Sequence, residues 1–163
     1  TVEDDAGVIG GALEFTEKSV SEIMVPREQV QTLTLGCTPA ELEHAVARTG
    51  YSRFIVTDPE GSYMGYLHLK DALAVPPARE HIPFGWRQVR SMSVVAPETD
   101  IDDALAIMQG NNSHLAHVVG SNGRSLGVVF MEDVLEELVG EIKDTTQDRV
   151  RRLQAASRAS NDK

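Results

Sequence analysis

Apolar positions along the chain fall into two runs of the same kind. Leu42, Ala45, Val46 and Thr49 recur at i, i+3, i+4 and i+7, and Ile101, Ala104, Leu105 and Met108 repeat that spacing 59 residues later. This is the signature of a helix with one buried stripe. A hairpin pattern follows each stripe. RFIVTD and SYMGYLHL flank the turn DPEG, while LAHVV and SLGVVF flank the tight turn SNG; both read as paired strands. Each hairpin runs into a glycine, a short apolar strand and an acidic helix start: GYLHLKD at 65–71 and GVVFMED at 127–133, 62 positions apart. The offset grows because GNNSH, at 110–114, lengthens one loop.

Punctuation supports the same division. VQTLTL at 30–35 is β-branched enough for a strand. Thr38, Pro39 and Glu41 supply a hydroxyl cap, a first-turn proline and a carboxylate that reaches back, and Gly50 ends that helix. The element order strand, helix, strand, strand, helix is therefore written twice. The expected fold is α/β of the α+β kind, two βαββα repeats packed with pseudo-two-fold symmetry. Expected bounds are a helical lead-in over 1–19, a first repeat over 20–76, a surface linker over 77–88, and a second repeat over 89–143. The tail over 144–163 turns basic, then polar and small, and is expected to fray into disorder.

Composition narrows the function classes. The 15 basic and 25 acidic residues give a formal charge of -10, which argues against a nucleic-acid partner, since such a surface needs clustered Lys and Arg. Cys37 is the only cysteine, so an intrachain disulfide and a multi-cysteine metal site are excluded. No apolar run approaches the roughly 20 residues that cross a bilayer. The chain opens on TVEDD rather than Met, as a piece of a longer parent would.

The segments GYLHLKDAL and GVVFMEDVL resemble the strand-to-helix pattern of a tandem cystathionine-β-synthase (CBS) domain pair, the Bateman module. More specifically, IMVPREQVQTL, TGYSRFIV and EDVLEELVGEI are similar to the CBS pair of CorC/hemolysin-C-like membrane proteins, related to the CNNM magnesium transporters. The resemblance covers residues 20 to about 142. It implies two halves packed through their sheets, a homodimer through the CBS domains, and clefts that bind an adenosine nucleotide, ATP or AMP, with any Mg2+ arriving on the nucleotide. It also implies attachment to the transmembrane domain of the parent protein, on the cytoplasmic side, in divalent-cation (Mg or Co) efflux.

Within that resemblance, Asp71 and Asp133 match the aspartate that accepts hydrogen bonds from ribose hydroxyls; each can equally be a helix cap. His68 and Phe130 stand where the family usually has Ser or Thr. Histidine keeps a donor for phosphate, whereas phenylalanine offers only a ring. Arg27 and Arg53 are candidates for phosphates or for surface ion pairs. Met24, Val25, Ile55 and Val118 line an adenine slot or belong to the core, and His117 faces the cleft or the core.

Other chemistry finds little support in the sequence. His114 and His117 have no further ligand nearby, so no metal site is expected. No nucleophile elbow, Walker loop or paired-carboxylate spacing stands out, and no enzymatic activity is expected. On EDVLEELVGEI the apolar face suits a dimer or partner surface, or simply the underside of a solvated acidic helix. The alternative to nucleotide sensing is a structural dimerisation module whose clefts have decayed, a reading that Phe130 favours.

Overall fold

The computed structural model describes residues 18–161; the lead-in expected over 1–19 therefore lies, up to residue 17, outside the described residues. Two lobes repeat one plan. The first contains β2 (Thr32–Thr34), α2 (Pro39–Thr49), β3 (Arg53–Thr57), β4 (Tyr63–His68) and α3 (Leu69–Leu73). The second contains β5 (Ser93–Val95), α4 (Ile101–Gly110), β6 (Leu115–Val119), β7 (Ser125–Phe130) and α5 (Met131–Asn161). Ahead of both stand a single turn of helix, α1 (Val20–Ile23), and the two-residue strand β1 (Val25–Pro26).

In each lobe the first strand runs parallel to the second, which forms an antiparallel hairpin with the third. Both hairpins shift register at matching points, between Val56 and Thr57 and between Val118 and Val119. The repeat thus extends to a bulge that no motif announces.

Local chemistry explains the first long helix. Thr38 Oγ1 accepts from the Glu41 amide at 3.1 Å and Glu41 returns a carboxylate to the Thr38 amide at 3.3 Å. Gly50 closes the helix at φ 77°, where a Cβ would be strained. Leu42 and Ala45 face Phe54, Val56 and Leu67 in the first core. In the second, Ile101, Ala104 and Met108 face Val118, Val129 and Val134. Each fully buried Leu, Ile or Met contributes roughly 1.5–3 kcal/mol.

The lobes exchange their leading segments, which sequence order does not suggest. Val20 is fully buried in the second core, and its amide donates to Thr99 O at 2.8 Å. β1 then adds to β7 as an edge strand, giving the sheet order β1-β7-β6-β5. The linker does the reciprocal job: Phe84 is buried in the first core, and Arg90 exchanges backbone bonds with Tyr66 at 2.8 and 3.0 Å. Residues 18–26 complete the second lobe, and the 77–90 segment completes the first.

Two glycines permit this crossing. A Cβ on Gly127 would collide with the Val25 carbonyl, and one on Gly65 would strike the Arg90 carbonyl and come within 2.7 Å of Val89 Cγ1. Their shared role is close backbone approach.

Between the lobes, Ile55 and Tyr66 of one sheet pack on Leu115 and Val128 of the other. The Tyr66 hydroxyl accepts from the His114 amide at 3.3 Å. The last helix, α5, continues to Asn161.

Candidate functional site

Where the two sheets diverge, a cavity of about 470 Å³ opens between the lobes. Val25, Gly50, Tyr51, Ser52, Arg53, His68, Phe130, Glu132 and Asp133 line it. An inner recess of about 110 Å³, bounded by Gln29, Val30, Gln31 and Ile55, shares Val25, Tyr51, Arg53 and Phe130 with it. The outer cavity lies within the roughly 300–1,000 Å³ range of small-molecule sites.

Each wall follows from the fold. Val25 is carried in by β1, the exchanged strand. Arg53 opens β3 and pairs with His68 at the end of β4. Phe130 ends β7, and the first turn of α5 presents Glu132 and Asp133. Helix N-termini carry unpaired amides and a positive dipole end, so this turn is electrostatically suited to an anion.

Arg53 is the central charge. One guanidinium nitrogen is ion-paired with Glu132 across the lobe boundary. Its Nε is buried with no hydrogen-bond partner among the described residues, and a buried charged donor left unsatisfied costs free energy that a bound acceptor would recover. His68 stays neutral more readily than an ordinary histidine, because burial and then the nearby Arg53 disfavour its charged form. Its Nδ1 accepts from the Lys70 amide at 2.9 Å, which leaves Nε2 as the protonated donor.

The two aspartates, equivalent in sequence, are not equivalent in place. Burial alone would raise the Asp71 carboxyl, but Arg90 and the His68 amide outweigh it and hold it below the usual carboxylate range. Arg90 grips Asp71 with both Nε, at 3.0 Å, and Nη2, at 2.7 Å, while the His68 amide donates at 2.8 Å. Asp71 is thus the third residue of α3 and braces its start, with His68 in the capping position. Asp133 stands in the open cavity. Burial pushes its carboxyl up, and Glu136 and Glu132 add to the rise.

Of the residues singled out in the sequence, the structure brings Val25, Arg53, His68, Phe130 and Asp133 together around the cavity, with Ile55 at its inner recess. It places the others elsewhere. Val118 is sealed in the second core and Met24 packs against it. Arg27 lies 5.2 Å over the Tyr63 ring and donates to Gly61 O at 3.1 Å. His117 lies against Tyr63 with the ring centroids 4.7 Å apart and the planes tilted by 40°, and its Nε2 is 2.6 Å from Ser125 Oγ. Tyr51, Ser52 and Glu132 were missed as individuals, although TGYSRFIV and EDVLEELVGEI contain them.

Models of the CBS domain match residues 20–77 and 88–140. This chain belongs to the CBS-domain family. An uncharacterized protein of Mycobacterium tuberculosis is 39% identical over 140 residues, covering 83% of this chain and 40% of its own length. The magnesium and cobalt efflux protein CorC of Buchnera aphidicola is 30% identical over 161 residues, 95% of this chain and 55% of that protein. The chain thus spans about 40 to 55% of the length of these curated relatives. Among solved structures, the CBS domain of a bacterial CNNM/CorC family Mg2+ transporter in complex with ATP is 27% identical with a TM-score of 0.70, covering 84% of this chain and 98% of that one. A CBS domain from Clostridium difficile 630 is 30% identical with a TM-score of 0.68, covering 78% and 98%. The chain is therefore a CBS-pair module similar to those of the CorC/CNNM family, and the mixed α/β fold expected from the repeat is the one observed.

Proposed function

We propose that this CBS pair is a regulatory module that senses an adenosine nucleotide, with ATP the better-supported ligand, and that the Asp133 cavity is its site. The observation that carries the reading is the buried, unpartnered Nε of Arg53 at a cavity bounded by an aromatic wall, a helix start and an aspartate. In this reading Phe130, Val25 and Tyr51 take the adenine, Asp133 accepts from the ribose hydroxyls, and Arg53 with His68 meets the phosphates. Magnesium enters with the triphosphate, which already offers it oxygen ligands. The ATP complex of a structural neighbour supports the class of ligand, and the name of one relative, a magnesium and cobalt efflux protein, supports the setting.

The corresponding position beside Asp71 is given no nucleotide. Arg90 already occupies that carboxylate, so a ribose would have to displace a forked ion pair. One module then binds one nucleotide, and the ligand acts by favouring one arrangement of the lobes and of a pair of modules. The proposed setting is the cytoplasmic face of a divalent-cation efflux protein, through a transmembrane domain of the parent. Among the described residues no helix is long and apolar enough to cross a membrane itself.

Thermal unfolding with ATP, ADP, AMP and magnesium tests the reading. A ligand at about a hundred times its dissociation constant adds roughly 2.7 kcal/mol of stability, and Arg53→Ala should remove that gain. Indifference to every adenosine ligand would instead support the second reading, a dimerisation module with decayed clefts, which the occupied Asp71 carboxylate favours.

A further inference from the structure

The segment that closes the first lobe is fixed to the body of the molecule, yet it turns large apolar side chains to solvent. Two single turns of 3₁₀ helix, Pro77–Arg79 and Trp86–Gln88, lie at its ends. Phe84 is buried between them in the first core, its amide donates to Cys37 O at 2.9 Å, and Glu80 O accepts from the Ala40 amide at 3.0 Å. With Phe84 turned inward, the residues two positions to either side stand outward: Ile82 is 57% exposed and Trp86 71%. Leu73, the last residue of α3, is 66% exposed. A cavity of about 300 Å³ ties these positions together, with Ala74 beside Leu73, Ile82 itself, and Gln88 from the turn that carries Trp86 all in its lining. Single exposed apolar residues are ordinary, whereas a cluster of large ones marks an interaction site.

Charge identifies what covers it. Residues 70–90 carry Lys70, Arg79, Arg87 and Arg90 against Asp71 and Glu80, in a chain whose formal charge is -10. Arg90 is taken up by Asp71. Lys70, Arg79 and Arg87 make no ion pair among the described residues. Arg79 lines the same cavity as Ile82, and the Arg87 guanidinium lies 5.2 Å from the Trp86 ring. Tryptophan flanked by arginine and lysine suits the boundary between water and lipid, where the ring sits among headgroups and the cations meet phosphates. The rest of the chain is net acidic. An anionic surface therefore attracts this edge and repels the remainder, so charge orients the molecule as well as holding it.

We propose that this edge of the first lobe docks on the surface of an anionic bilayer, with Leu73, Ile82 and Trp86 entering the headgroup boundary and Arg79 and Arg87 meeting lipid phosphates. None of these residues lines the Asp133 cavity, so the inference goes beyond the nucleotide reading and stands or falls apart from it.

Trp86 is the only tryptophan in the chain and reports the contact directly. The full chain is held on vesicles by an amino-terminal histidine tag and a nickel-chelating lipid, which supplies the local concentration a weak surface contact needs. On phosphatidylcholine vesicles containing phosphatidylglycerol, Trp86 emission is expected to move to shorter wavelength and to be quenched by brominated acyl chains. On phosphatidylcholine alone both effects should be largely lost. Arg79→Gln/Arg87→Gln should weaken docking about 25-fold, two cations at about fivefold each, while its unfolding midpoint stays that of the wild type. Absence of shift and quenching on the mixed vesicles overturns the proposal in favour of a protein neighbour. Equal effects on both kinds of vesicle overturn it too, as does a double variant that docks like the wild type.

Discussion

Arg53, on the first strand of the hairpin in one lobe, is ion-paired with Glu132, on the first turn of α5 in the other. This contact bridges the mouth of the cavity and competes with any phosphate for the same guanidinium. Glu132 is largely exposed and Arg53 largely buried, so losing the glutamate costs little stability while losing the arginine strips the site. Glu132→Gln should tighten ATP several-fold, because a negative charge beside the phosphates is removed. Arg53→Ala should weaken ATP by about tenfold or more, equivalent to at least about 1.4 kcal/mol. Isothermal titration calorimetry of both variants checks the opposite signs.

Gly127→Ala and Gly65→Ala should each destabilise the protein by about 1–3 kcal/mol, the usual cost of forcing a group into packed space. The obstacle in both cases includes backbone, the carbonyls of Val25 and Arg90, which cannot rotate away as a side chain can. Gly110→Ala, where an added Cβ meets nothing within 4 Å, should be harmless or mildly stabilising. Denaturant midpoints of the three variants discriminate these outcomes.

The Asp71–Arg90 pair should leave a mark on the pH dependence of stability. Because the folded carboxyl is held below its ordinary value, the native state binds a proton less readily than the unfolded chain. Its contribution is therefore complete above the ordinary aspartate range and disappears as pH falls through the lower, folded value. Asp71→Asn should cost about 1–2 kcal/mol at neutral pH, in line with a lost charge-assisted bond and helix brace. The gap between wild type and variant should close in acid. A gap that stays constant with pH would show that the carboxylate charge is not what stabilises.

Val20→Ala should loosen the second lobe rather than the first. Val20 precedes every strand of the first lobe in sequence but is fully buried among Ile101, Val118 and Val129. Hydrogen exchange is expected to quicken in β6 and β7 while β3 and β4 keep their protection.

Much of the architecture is legible in the sequence because its signals are local. Leu42 and Ala45 declare a helix by spacing alone, and the DPEG and SNG turns fix both hairpins. The partner of α1 and β1 is not legible in this way, since nothing in VSEIMVP encodes which sheet it will join; the strongest hint is the bare backbone at Gly127. Likewise GYLHLKD and GVVFMED make Asp71 and Asp133 look alike, and the difference between them resides in Arg90, 19 residues from Asp71. The tail continues α5 to Asn161 despite its polarity. Arg, Gln and Ala are good helix formers, and Val150 and Leu153 extend the stripe of Leu135 and Val139 past the point where the acidic run stops.

Because the lobes trade their leading segments, both ends of the described chain emerge from the second lobe, where Lys18 is ion-paired to Glu137 of α5. The first lobe hangs between Arg27 and Met92 like a pendant on two cords. A torque applied at Lys18 turns the second lobe directly and carries Val25, one wall of the cavity, with it. The pendant lobe follows through the packing of Ile55 and Tyr66 on Leu115 and Val128 and through the Arg53–Glu132 pair, so a ligand gripped by Arg53 on one side and Asp133 on the other would act as a clutch between them.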